Sequence, residues 1–176
     1  LDFSGYKEAT LLRRIERRMI ANRVHSLEDY VAQVQNNAEE IHKLAKDILI
    51  SVTSFFRDQR AFEDLRQIVQ RIVERKRPGD EIRVWVPGCA TGEEAYSIAI
   101  LFHRVLGAAV DQYRLQVFAT DVDSDAMAIA RKGAYSGGSL THVDPDTLKR
   151  FFGVREDRYE IVKALRDVVL FARQDL

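Results

Sequence analysis

Val84-Trp-Val-Pro-Gly-Cys-Ala-Thr-Gly-Glu-Glu-Ala-Tyr-Ser97 decides the fold. Residues 82–86 are β-branched or aromatic apart from Arg83 and predict a strand. Gly88 to Gly92 then form a tight loop, and the apolar-rich run 93–106 reads as a helix. A strand entering a glycine loop and then a helix is the general nucleotide-binding entry of α/β sheets. Residues 115–119 read as the next strand and 125–132 as the next helix. This alternation predicts a parallel sheet with helical crossovers.

The loop is neither the G-x-G-x-x-G pattern nor a P-loop, which ends in Gly-Lys-Ser/Thr. Gly88 and Gly92 would let the backbone approach a ligand closely. Phosphate ligands sit on a helix N-terminus, yet Glu93 and Glu94 occupy this one. A carboxylate beside a pyrophosphate costs on the order of several tenths of a kcal/mol even with generous screening. S-Adenosyl-L-methionine has no phosphate but carries a sulfonium and an ammonium, so an acidic loop suits it and penalises NAD. First-turn acids also cap helices, and Thr91-Gly-Glu-Glu94 fits a capping box. Which glutamate caps and which faces the ligand stays open. Asp121 ends the second strand, where ribose hydroxyls are accepted, although Asp123 or Asp125 would cap the following turn equally well. Residues 83–121 therefore read as an S-adenosylmethionine crevice.

Upstream, residues 8–24 carry the stripe Leu11, Leu12, Ile15, Met19, Ile20, Val24 and read as a helix. Ser26, with Asp29 three residues on, starts a second helix that ends near Asn36-Asn37, and residues 38–50 give a third. Asp58 caps a fourth that runs to about Lys76. Downstream, Pro145 opens a short helix, and residues 159–163 and 168–172 read as two strands paired as a hairpin across 164–167. The expected domains are a helical one over 1–50, a linker over 51–58 that contributes to the site, and an α/β domain over 59–176. With so few strands, only about half of a doubly wound sheet is expected, as in a fragment of a longer protein.

The 176 residues hold 27 basic and 27 acidic side chains, which gives no sign of a nucleic-acid binder. A single cysteine, Cys89, reads as a small loop filler, and four scattered histidines lack metal-site spacing, so no metal is expected. The sequence shows neither an apolar run of membrane-spanning length nor the order of a secretory signal, so a cytoplasmic protein with no membrane insertion is expected. Residues 1–25 hold six basic and three acidic residues, a local net of +3, with Arg13, Arg14, Arg17 and Arg18 on one helix. A solvated face explains that pattern, and so does a docking surface for an acidic partner. Phe55 and Phe56, beside Thr53 and Arg57, are unusual for a linker and read as a hydrophobic anchor between domains.

Four segments together resemble the CheR family of chemotaxis-type protein-glutamate O-methyltransferases. They are Val52-Thr-Ser-Phe-Phe-Arg-Asp58, Gly92-Glu-Glu-Ala-Tyr-Ser97, Phe118-Ala-Thr-Asp-Val-Asp123 and Ala130-Arg-Lys-Gly-Ala-Tyr135. Tyr6-Lys7 and Leu12-Arg-Arg-Ile-Glu-Arg-Arg-Met19 are especially similar to CheR domains of CheB–CheR hybrid signalling proteins. The resemblance implies a small N-terminal helical domain and a partial Rossmann-like methyltransferase domain with a small β-subdomain, expected at about 155–172. It implies that Thr53 and Arg57 face the methionine end of the cofactor, with Arg57 also catalytic. One of Glu93 and Glu94 would bind the amino group, and Asp121 the ribose. The resemblance also implies cofactor contacts at Ser51, where the family has an asparagine, and at Asp175-Leu176, where it has Asn-Leu. The implied reaction is methyl transfer from S-adenosyl-L-methionine to glutamates of a chemoreceptor or signalling protein, leaving S-adenosyl-L-homocysteine. Arg13, Arg14, Arg17 and Arg18 would meet acidic receptor helices. A non-catalytic S-adenosylmethionine-binding module, or a methyltransferase acting on another substrate, is the alternative reading.

Overall fold

The computed structural model describes residues 6–49 and 53–174. The chain divides into two compact units, Leu1–Ile50 and Ser51–Leu176.

The first unit holds helices α1 (Glu8–Ala21), α2 (Leu27–Gln35) and α3 (Ala38–Ile48). Ser26 Oγ accepts the Asp29 N–H at 3.1 Å and Asn37 Oδ1 accepts the Glu40 N–H at 3.0 Å, so both short helices start on side-chain caps. Each such cap contributes about 1 kcal/mol. The centre of this unit is polar. Glu40 is buried, and its carboxylate accepts from Arg18 Nε (2.9 Å), Arg18 Nη2 (2.7 Å), Tyr30 Oη (2.8 Å) and Asn22 Nδ2 (2.7 Å). A buried carboxylate needs this much compensation for its lost hydration. The Arg18 hydrogen bonds hold it below the usual carboxylate range against the opposing effect of burial.

This pairing corrects one sequence expectation. Arg18 turns inward to Glu40 and Asp47 and is not part of an exposed docking face. Arg13 and Arg17 are exposed, and Arg14 is half-buried. The apolar stripe of α1 is also narrower than its spacing predicts, because Leu12 and Ile20 lie exposed.

In the second unit, Asp58 Oδ1 accepts the Ala61 N–H at 3.1 Å and starts α4 (Gln59–Glu74). Next come β1 (Glu81–Pro87), α5 (Glu93–Leu106), β2 (Arg114–Asp121), α6 (Ser124–Lys132) and β3 (Ala134–Tyr135). The remainder is α7 (Pro145–Phe151), β4 (Phe152–Arg155), β5 (Arg158–Ile161), α8 (Lys163–Val168) and β6 (Val169–Arg173). A parallel sheet runs in the order β1-β2-β6, and a small antiparallel sheet in the order β3-β5-β4.

The expected hairpin between 159–163 and 168–172 does not form. The intervening residues wind into α8, whose Leu165 is fully buried, and this crossover carries β6 into the parallel sheet beside β2. The β-subdomain is therefore built from 134–135, 152–155 and 158–161, and 169–173 lies outside it.

One face of the parallel sheet supplies the core through Ile82, Val86, Leu115, Val117, Ala119 and Val169, packed with the almost wholly buried α5. Alternation puts Trp85, Phe118 and Leu170 on the opposite face, paired in register across all three strands and 56%, 36% and 46% exposed.

Candidate functional site

The β1–α5 loop is bent by three left-handed residues, Gly88 (φ +64°), Ala90 (φ +46°) and Gly92 (φ +92°). Two hydrogen bonds tie it to the end of β2. Thr120 O accepts the Cys89 N–H at 3.0 Å, and Asp121 Oδ2 accepts the Ala90 N–H at 2.7 Å. The other Asp121 oxygen, Oδ1, accepts the Asp123 N–H at 2.8 Å, while Asp123 itself caps α6. Asp121 therefore braces two loops, and each oxygen keeps one lone pair for a further donor.

A Cβ on Gly88 would meet open space, which fits close approach of a ligand. Gly92 is different: its Cβ would lie 2.8 Å from Ala130 Cβ and 3.1 Å from Phe171 Cζ. This glycine serves packing against α6 and β6 rather than ligand approach, contrary to its sequence reading. The expected capping box is also absent. Gly92 is the N-cap of α5 with no side-chain cap, and Thr91 Oγ1 instead donates to Glu93 Oε2 at 2.5 Å.

The two glutamates part at this point. Glu93 is 3% exposed, held by Thr91 and, at 3.4 Å, by Ser139 Oγ. Tyr135 Oη donates to Thr91 O at 2.8 Å and closes this buried cluster. Glu94 is exposed and has no hydrogen-bond or ion-pair partner among the described residues. It lines a groove of about 610 Å³ together with Thr53, Arg57 and Ile98.

The opposite wall of the groove is the segment before α4, and its aromatics explain how it is placed. Phe55 is fully buried and meets Tyr135 and Phe152 edge-on, at 4.9 and 5.1 Å between centroids. Phe56, at φ +50°, turns the other way onto Phe62 of α4 at 5.1 Å. Backbone bonds pin both residues: Phe55 N–H to Ser139 O at 2.9 Å and Phe56 N–H to Ser97 Oγ at 3.1 Å. Burial of an aromatic ring contributes roughly 1.5–3 kcal/mol, enough to fix a short segment. The aromatics anchor 53–57 within the second unit, against α5 and the small sheet.

Sequence reasoning thus found Thr53, Arg57 and Glu94, which the structure gathers around one groove. Gly88 and Asp121 sit at the strand ends outside that lining, joined to it through the loop. Ser51, Asp175 and Leu176 lie outside the described residues. Sequence reasoning missed Arg60, Phe62, Leu65 and His142, which also line the groove. Phe62 and Leu65 follow the cap residue Asp58 at i+4 and i+7, which was a usable signal, whereas His142 lies in a turn with no periodicity. Cys89 is buried beside Met127 Sδ at 3.6 Å, and burial pushes its thiol up to about 12, as suits a filler and not a nucleophile.

A parallel sheet, a glycine loop at its carboxyl end and acids in place of phosphate donors define an α/β domain for a cationic nucleoside ligand. Residues 51–176 match the family described as CheR methyltransferase, SAM binding domain, and residues 1–49 match the CheR methyltransferase, all-alpha domain. The chain belongs to the CheR methyltransferase family, and its cofactor is S-adenosyl-L-methionine. It is 37% identical over 177 residues to an uncharacterized 104.1 kDa protein in the hypE 3' region of Rhodobacter capsulatus, covering 100% of this chain and 19% of that protein. Chemotaxis protein methyltransferase 2 of Vibrio cholerae is 30% identical over 143 residues, covering 81% of this chain and 49% of the relative. The chemotaxis protein methyltransferase of Listeria innocua is 27% identical over 177 residues, covering 100% of this chain and 65% of the relative. The chain thus spans less than two thirds of these relatives.

The residues present fit the cofactor. An unpaired carboxylate at the groove wall suits an ammonium group, open space at Gly88 admits a ligand, and Asp121 retains acceptor capacity.

Proposed function

We propose that this protein methylates glutamate side chains of a chemoreceptor or related signalling protein in the cytoplasm, forming glutamyl methyl esters. The observation that carries this reading is the unpaired Glu94 carboxylate in the same groove as Thr53 and Arg57. Glu94 holds the ammonium of the cofactor, Asp121 accepts from the ribose hydroxyls, and the backbone at Gly88 lies against the nucleoside. Thr53 and Arg57 face the methionine end. When bound, S-adenosyl-L-methionine supplies an electrophilic methyl carbon on a neutral-leaving sulfur.

An acceptor carboxylate has an ordinary pKa of about 4.3 and is ionised at neutral pH, so no general base is required. One of its oxygens forms the new C–O bond while the S–CH3 bond breaks, and the departing electron pair stays on sulfur. The task left to the chain is alignment, which is worth up to several kcal/mol. Arg57 steadies the incoming carboxylate or the cofactor's own, and the buried Phe55 and partly buried Phe56 keep Arg57 in place. Outside the groove, Arg13 and Arg17, supported by Arg14, offer acidic receptor helices a basic surface on α1.

Calorimetry with S-adenosyl-L-homocysteine, followed by tritiated-methyl transfer from the full-length protein to the cytoplasmic fragment of a chemoreceptor, tests the proposal. The label is expected in base-labile esters that release methanol. Label stable to alkali, or no binding at all, would overturn it. Reversing charge at Arg13 and Arg17 together is expected to raise the KM for the receptor fragment, most strongly at low salt. An unchanged KM would remove α1 from the docking surface.

A further inference from the structure

The groove around Glu94 is polarised. Beside Arg57 it carries two further groups that can donate hydrogen bonds to an anion, Arg60 from the first turn of α4 and His142 from the turn that precedes α7. Both are exposed, and neither has a hydrogen-bond or ion-pair partner among the described residues. Arg60 stands in the first turn of α4, where the acid at the helix end is the N-cap Asp58. The acids on this groove are Asp58, which is engaged as the cap of α4, and Glu94. With Glu94 assigned to the ammonium of the cofactor and Arg57 to its methionine end, Arg60 and His142 remain to face an anionic acceptor.

We propose that Arg60 and His142 form the acceptor-side rim of the groove and position the carboxylate-bearing segment that is methylated. This rests on the methyl-transfer reading above. Arg60 and His142 are positioning residues, because they hold the acceptor segment and not the reacting methyl. The partition places one acid toward the cationic ligand and the basic rim toward the anionic one, so two ligands of opposite charge enter a single groove without exchanging places.

The test uses the full-length protein with the cytoplasmic fragment of a chemoreceptor as acceptor. The variants are Arg60→Gln, His142→Gln, the double variant and Arg60→Lys. Arg60→Gln and His142→Gln are each expected to raise the acceptor KM at least about fivefold, and the double variant further. Changes in kcat and in S-adenosyl-L-homocysteine affinity are expected to stay within about twofold, and Arg60→Lys is expected to recover part of the loss. An acceptor KM that does not move, with cofactor affinity intact, overturns the assignment. Loss of S-adenosyl-L-homocysteine binding in Arg60→Gln would put Arg60 in the cofactor site and also overturn it. If the unsubstituted protein binds no S-adenosyl-L-homocysteine, the failure lies in the methyl-transfer reading and takes the rim with it.

Discussion

Gly88 and Gly92 share a left-handed backbone but differ in their surroundings. An alanine at either position carries the backbone penalty of about 1–2 kcal/mol. At Gly92 the added methyl also collides with Ala130. Gly92→Ala should therefore lose more stability than Gly88→Ala, by about 1 kcal/mol or more, and paired urea titrations measure the difference. The two glutamates separate in the same way. Glu94→Gln should weaken S-adenosyl-L-homocysteine binding by about 10-fold or more, the value of a charge-assisted hydrogen bond, and leave the melting temperature unchanged. Glu93→Gln should lower the melting temperature, since the buried Thr91–Glu93–Ser139 cluster is disturbed. The sequence placed both acids at the helix start but left their orientation open. Neighbouring residues on a helix differ by about 100° of rotation, so an uncertainty of one residue in the helix start exchanges the inward and outward acid.

At the scale of elements, the Glu40 network ties α1, α2 and α3 of the helical unit together. Glu40→Gln leaves Arg18 with only its longer contact to Asp47, at 3.6 Å, and should cost about 3 kcal/mol, read as lost amide-exchange protection in α1 and α3. The Glu40 carboxyl lies below its ordinary range in the folded state. The stability it contributes is therefore fully present above about pH 4.3 and is lost as pH falls through the depressed folded value. An acid titration followed by circular dichroism should show that loss in the unsubstituted protein and a shallower one in Glu40→Gln. The helix starts at Ser26 and Asp58 were legible because capping chemistry is local. The fate of 159–172 was not. A helix of six residues is too short to show its period, so α8 passed for a turn, and strand partners are set by tertiary packing that no local pattern records.

At the scale of the whole molecule, no helix among the described residues is long and apolar enough to cross a membrane. Parallel sheets normally carry cover on both faces, and here the row Trp85–Phe118–Leu170 is exposed. Leu170→Lys should raise the solubility limit of this chain, with a stability change within about 0.5 kcal/mol, as light scattering and thermal melts would show. A period-two reading of β1 and β2 signals that both faces carry apolar residues, but it does not say which face the helices take. Arg18 shows the same limit in the first unit: its place on a basic helix was plain, and its inward turn depended on Glu40, 22 residues away.

Cys89 closes a different account. The chain has one thiol, sealed beside Met127 and far from ionised at neutral pH. A maleimide or disulfide reagent will therefore leave the native protein unlabelled and react only as the glycine loop opens. The rate of that reaction is a clock for the opening of the loop that leads into the glutamates of α5, and its slowing on addition of S-adenosyl-L-homocysteine would register binding without a radiolabel. The same silence leaves the surface vacant for an introduced cysteine, so a fluorophore can be placed at one chosen site with no background from the native thiol.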